Sequence, residues 1–200
     1  MSIFLVDPKN PFPYHNRPPL SLAQMLAKDP PEIDWVVKGL LAHQDRALLY
    51  GEFGSLKSWI FIHLGLHVAA GKTWLDTFDV PKARSVLYVD EEMGEHRMHR
   101  RVRRLADGAG IDVPHEFYVM SHPGLRFDEL GAHRLLAYCK LHGIAPDLII
   151  VEGLRRVIVG SENNADDVAL MWDNAKTLLR AEKGLILSHH MRKPVALGKD

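Results

Sequence analysis

The chain has 200 residues, 46% of them apolar and 25% charged, the make-up of a globular protein with one or two domains. Lys and Arg total 25 and so do Asp and Glu, so neither a basic nucleic-acid coat nor an acidic disordered tail describes the whole chain, although a local basic stripe remains compatible with zero net charge. The single cysteine, Cys139, excludes a disulfide framework and a cysteine-built zinc site, and fits a reducing compartment.

Residues 1–40 read as a Pro-rich arm and lead-in, punctuated by Pro8, Pro11, Pro13, Pro18, Pro19, Pro30 and Pro31. Ser21 to Ala27 fits two helical turns with Ser21 as N-cap. The apolar patch at Ile3–Val6 lacks the basic flank and length of a signal peptide. No stretch reaches the roughly 18 apolar residues of a membrane span. A soluble, cytoplasmic protein is the expectation.

The folded core is expected over residues 41–200, with Trp35, Val36 and Val37 packing on it. Ala47–Tyr50 is a short apolar run leading into a glycine loop, and Lys57–Ala70 a helix ended by Gly71. Ser85–Asp90 reads as a strand, Gly94–Ala109 as a helix, Phe117–Met120 as a strand, and Asp128–His142 as a helix closed by Gly143. Asp147–Glu152 is a buried strand, Asn164–Lys183 a long amphipathic helix, and Gly184–Ser188 the last strand. Continuous apolar strands alternating with helices predict an α/β fold, a mostly parallel sheet with helices on both faces.

Gly51-Glu52-Phe53-Gly54-Ser55-Leu56-Lys57-Ser58 lies between the first core strand and the first core helix, where a Walker A phosphate loop belongs. Backbone N–H groups and a helix N-terminus cradle anions there. Lys57 would reach the β- and γ-phosphates of ATP, and the Ser58 hydroxyl would ligate Mg²⁺. Leu56 stands where the pattern has glycine. A plain glycine turn before a helix is the competing reading. Trp59, next in line, is expected to pack the loop against the sheet.

Three further strand ends carry polar chemistry. Asp90-Glu91-Glu92 closes one strand, and carboxylates at that end face the ligand crevice of a parallel sheet. One of them would activate water, or the acids simply cap the next helix. Asp147–Val151 runs into Glu152, the Walker B arrangement for Mg²⁺, with Glu in place of the usual Asp. Ser188-His189-His190-Met191-Arg192-Lys193 ends the last strand.

In sequence order, Trp35-Val-Val-Lys-Gly-Leu-Leu, GEFGSLKSW, LYVDEEM, DLIIVEGLRRV and LSHHMRKP resemble the RepA-type branch of RecA-like P-loop ATPases, the group of plasmid and phage replicative helicases. The resemblance spans about Trp35 to Pro194. It implies a RecA-like fold, ATP hydrolysis with Mg²⁺, assembly of a homo-oligomeric ring, and single-stranded DNA as partner. By that similarity Lys57 and Ser58 serve phosphate and metal, Glu92 is the catalytic glutamate, Glu152 takes the Walker B position, and His190 senses the γ-phosphate. Cores of this kind continue with further strands that carry an arginine finger. A C-terminally shortened core is therefore expected, with Arg192 and Lys193 as substitutes for the finger.

Arg97, Arg100, Arg101, Arg103 and Arg104 crowd one helix, either as a DNA-phosphate surface or as a solvated face with Met98, Val102 and Leu105 turned inward. His96 and His99 share helical spacing without an identifiable third metal ligand. Two rival functions stand beside the ATPase: a non-hydrolysing nucleotide-binding module that loads or regulates a replication protein, and a metal-dependent hydrolase built on the twelve histidines.

Overall fold

The computed structural model describes residues 18–112, 114 and 116–190. The chain divides into two compact units, residues 1–32 and 33–200. In the first, helix α1 (Leu22–Leu26) opens with a capping box: the Ser21 hydroxyl accepts from the Gln24 amide while the Gln24 side chain accepts from the Ser21 amide. None of its residues is buried.

The second unit starts with a short antiparallel pair, β1 (Trp35–Val37) and β2 (Leu41–Ala42). Val36, Val37 and Leu41 are buried in the core, so the packed region begins ahead of residue 41. Buried Arg84 anchors this lead-in through an ion pair to Asp34 and a hydrogen bond to the Trp35 carbonyl.

The main sheet contains β3 (Arg46–Gly51), β4 (Val86–Asp90), β5 (Phe117–Ser121), β6 (Leu148–Glu152) and β7 (Gly184–His190). Its order is β3-β7-β6-β4-β5, and every pairing is parallel. The connecting helices are α2 (Lys57–Ala70), α3 (Glu95–Ala109), α4 (Gly131–Leu141), α5 (Leu154–Val157) and α6 (Ala165–Arg180). This is the α/β architecture with a parallel sheet that the alternation predicts, and it agrees with the RecA-like P-loop fold that the resemblance implies.

Strand side chains alternate between faces, so each central strand feeds two cores. Val86, Tyr88, Leu148, Ile150 and Ile186 pack with α2 and α3, whereas Leu87, Val89, Ile149, Val151, Leu185 and Leu187 pack with α4, α5 and α6. The same alternation carries Asp90 and Glu152 onto the α2 side at the sheet's C-terminal edge. Parallel pairing brings Gly51, His190, Glu152 and Asp90 to that one edge.

Two predicted helices are shorter than the sequence pattern. The segment read as Asp128–His142 is helical over Gly131–Leu141, because Asp128 is used in a turn: its carboxylate accepts from the Leu130 amide and pairs with Arg134. The segment read as Asn164–Lys183 is helical over Ala165–Arg180, with Asn164 capping the amides of Asp166 and Asp167. Among the described residues no helix is long and apolar enough to cross a membrane.

Candidate active site

The phosphate loop bridges β3 and α2. Gly51 and Gly54 serve different purposes in it. A Cβ on Gly51 would stand 2.5 Å from the Ser55 Oγ, so glycine leaves room for the Ser55 hydroxyl. Gly54 turns the chain at φ +81°. Leu56 is the N-cap of α2 and holds φ +62°, ψ +18°, a left-handed conformation for which glycine is the ordinary residue. Its side chain is exposed. Lacking a side-chain cap, α2 presents the amides of Lys57, Ser58 and Trp59 ahead of its first helical hydrogen bond, which Ile60 donates to Leu56.

Lys57 folds back into the loop. Its ammonium donates to the carbonyls of Gly51 (2.9 Å) and Glu52 (2.7 Å) and to the Ser55 hydroxyl (3.3 Å). Burial lowers its pKa below the ordinary lysine value, while the carboxylates of Glu92 and Glu152 pull it the other way. Phe53 is exposed at the loop tip, its ring 5.8 Å from that of His190.

Glu152 is 2% exposed and fully engaged. Its Oε1 accepts a short hydrogen bond from the Ser58 hydroxyl, and its Oε2 accepts from the Tyr88 hydroxyl at 2.6 Å. Desolvation raises its pKa, and the two hydroxyl donors partly oppose that shift. The extra methylene of Glu over Asp lets this carboxylate touch Ser58 directly.

The acids at the β4 tip divide. Asp90, fully buried, accepts from the amides of Glu92 (3.0 Å), Met93 (2.7 Å) and Gly94 (2.8 Å), so it fixes the turn into α3. Glu91 accepts from the Leu125 amide at 2.6 Å. Glu92 points to the crevice, with its Oε2 3.6 Å from the His190 Nε2. Gly153, at φ +92°, lets it sit there, since a Cβ on Gly153 would meet the Glu92 Oε1 at 2.8 Å.

Lys57, Ser58, Glu152, Glu92 and His190 thus come together from α2, β6, the β4 tip and β7. Among the described residues the buried Nδ1 of His190 has no hydrogen-bond partner. The donor set fits Mg²⁺, because Ser58 and Glu152 offer two hard oxygens side by side. It also fits a polyphosphate, given a cation and helix-start amides in one crevice.

A family model described as AAA domain matches residues 11–196. The chain belongs to the AAA domain family. That family is one of P-loop ATPases, which use nucleotide and typically Mg²⁺. No curated protein matches the chain.

Some expected placements differ. The Trp59 ring does not wedge the loop against the sheet. It lies under two guanidinium groups of α3, with the Arg101 and Arg104 carbons 5.0 and 5.8 Å from its centroid. His189 turns to the Tyr50 ring and lies 3.6 Å from Glu162. His63 and His67 lie against one another with tilted rings and bond Trp74 and the Thr73 carbonyl, which is a structural role. Among the described residues no group of three or more His, Cys, Asp or Glu could hold a metal ion. Arg192 and Lys193 lie outside the described residues.

Sequence reasoning missed Tyr88 and Gly153. Tyr88 stands two residues before Asp90, so period-two alternation puts it on the Glu152 face. It is the one residue with a polar tip among the first four of VLYVD, and that was the available signal. Grooves of about 480 and 560 Å³ flank β5, and neither is lined by residues of the phosphate loop.

Proposed function

We propose that this AAA domain protein binds Mg-ATP in the crevice at the C-terminal edge of the sheet and hydrolyses it, as a RecA-like motor of the RepA type in DNA replication or recombination. The observation that carries this reading is the convergence of Lys57, Ser58, Glu152, Glu92 and His190 at one edge. The loop residues Gly51 to Trp59 bind the phosphates with backbone amides. Lys57 exchanges its carbonyl partners for the β- and γ-phosphate oxygens. Ser58 and Glu152 hold Mg²⁺, which when bound neutralises charge on the phosphates. Glu92 orients a water and takes its proton as the water oxygen bonds to the γ-phosphorus and the bond to the bridging oxygen breaks. His190 donates to a γ-phosphate oxygen. The order of the quoted sequence runs supports single-stranded DNA as partner and a homo-oligomeric ring.

A non-hydrolysing module is the second reading. It draws on the left-handed Leu56 and on the ammonium of Lys57, already committed to loop carbonyls. Steady-state hydrolysis and nucleotide binding separate the two. Glu92→Gln is expected to keep ATP binding and lose about 10²–10³-fold in hydrolysis, the scale for removing a group that acts in the transition state. Lys57→Ala is expected to lose both. Tight Lys57-dependent binding without hydrolysis supports the module, and wild-type rates in Lys57→Ala overturn both readings.

A further inference from the structure

Helix α3 carries charge out of proportion to the rest of the chain. Arg97, Arg100, Arg101 and Arg104 recur at i, i+3, i+4 and i+7, which places them along one face. The opposite side is the packed one: Met98 and Ala106 are buried, and Val102 and Leu105 lie against the core. Arg97, Arg100 and Arg104 are exposed. Among the described residues none of the four arginines is in an ion pair. The two C-terminal members are held over the Trp59 ring, one residue after Ser58 of the phosphate loop.

We infer that this arginine face, with Trp59 at its border, is a docking surface for single-stranded nucleic acid. The inference rests on the DNA-linked reading above and names the surface that serves it. Charge complementarity selects a polyanion, because four uncompensated guanidinium groups line up in a chain of zero net charge. The side groups select nucleic acid among polyanions. Planar guanidinium groups and an indole stack on bases as well as pairing with phosphates. A membrane surface would want apolar anchors beside the cations, and on α3 the neighbouring exposed positions are instead Glu95, His96, His99, Arg103 and Asp107. Because Trp59 belongs to the first turn of α2, a strand gripping Arg101 and Arg104 pulls on the helix start that faces the nucleotide.

The test is fluorescence anisotropy of a labelled oligo-dT with the full chain, titrated across NaCl concentration, for wild type and Arg97→Gln/Arg100→Gln. Both side chains are exposed and unpaired, so the variant is expected to keep the wild-type melting temperature and wild-type binding of a labelled ATP analogue. Two lost phosphate contacts should lower the slope of log K against log salt by about 1.4, at about 0.7 per contact on a single strand. At low salt the affinity should fall about tenfold or more, which is roughly 1.4 kcal/mol. An unchanged slope overturns the stripe and leaves DNA binding elsewhere on the molecule. Wild-type binding to phosphatidylserine vesicles but not to oligo-dT also overturns it, in favour of a membrane. ATP-analogue binding without any oligo-dT binding removes both the stripe and the DNA partner while the nucleotide site stands. Loss of wild-type analogue binding strikes the proposed function instead.

Discussion

At the tip of β4, Asp90 is sealed from solvent and its oxygens are taken by three successive backbone amides. At the tip of β6, Glu152 is almost as deeply buried, yet it accepts from two hydroxyls, those of Ser58 and Tyr88. The two carboxylates are register partners across the sheet. Amide donors cannot leave without unfolding the turn they belong to, so Asp90 is committed to structure. A hydroxyl can rotate toward a metal, so Glu152 keeps a choice. The kind of donor around a buried acid, more than its depth, separates a scaffold carboxylate from a chemical one.

Three substitutions sharpen that contrast. Asp90→Asn should cost most, because the amide nitrogen that replaces one oxygen faces another N–H. Breaking a charged hydrogen-bond cluster is worth about 2–3 kcal/mol. At about 2–4 °C per kcal/mol for a chain of this size, thermal melting should fall by roughly 5–10 °C. A melting point within a degree of wild type would break the comparison.

Glu152→Gln should act in the opposite direction. Burial holds the folded-state pKa of Glu152 above its unfolded value, so its contribution to the ligand-free fold is fully present below the unfolded pKa and is lost as pH rises through the folded one. Removing the ionisation should raise the melting temperature near pH 7–8 by roughly 2–4 °C, with the gain shrinking toward about pH 4. The same variant should lose Mg²⁺-dependent tightening of ATP binding, measured by calorimetry with and without the metal.

Tyr88→Phe should be the mildest, about 1 kcal/mol of stability for one buried hydrogen bond. It also removes a donor that lowers the Glu152 pKa. Mg²⁺ needs the carboxylate ionised, so the acid limb of Mg-ATP binding should move to higher pH in the variant. A pH profile that overlays wild type would show that Tyr88 only fills space.

The fold was largely readable because glycines and apolar runs punctuate it. Helix α2 runs from Lys57 to Ala70 and closes on Gly71, as its pattern states. Strands β4, β6 and β7 are buried apolar runs with polar tips. The β1–β2 pair and α5 were not readable, since elements of two to four residues carry no periodicity. At the site, the strand ends could be located in the sequence, but residue type alone left Asp90, Glu91 and Glu92 equivalent. Only the resemblance singled out Glu92. What divides them is which amides lie within reach, and that depends on Leu125 and on the turn into α3. The Ser58–Glu152–Tyr88 cluster joins residues 64 and 94 positions apart in the chain, so no local pattern encodes it.

Strand order has a consequence for biosynthesis. Among the described strands, β3 is hydrogen-bonded only to β7, whose residues 184–190 are translated long after residues 46–51. At about 5–20 residues per second the emerging segment waits roughly 7–28 s for its mate. During that interval one edge of the phosphate loop has no permanent support, and Leu48 and Leu49 lack their neighbours Leu187 and Ser188. A ribosome-bound intermediate of this chain should therefore be a client for holdase chaperones, released once the last strand closes the gap.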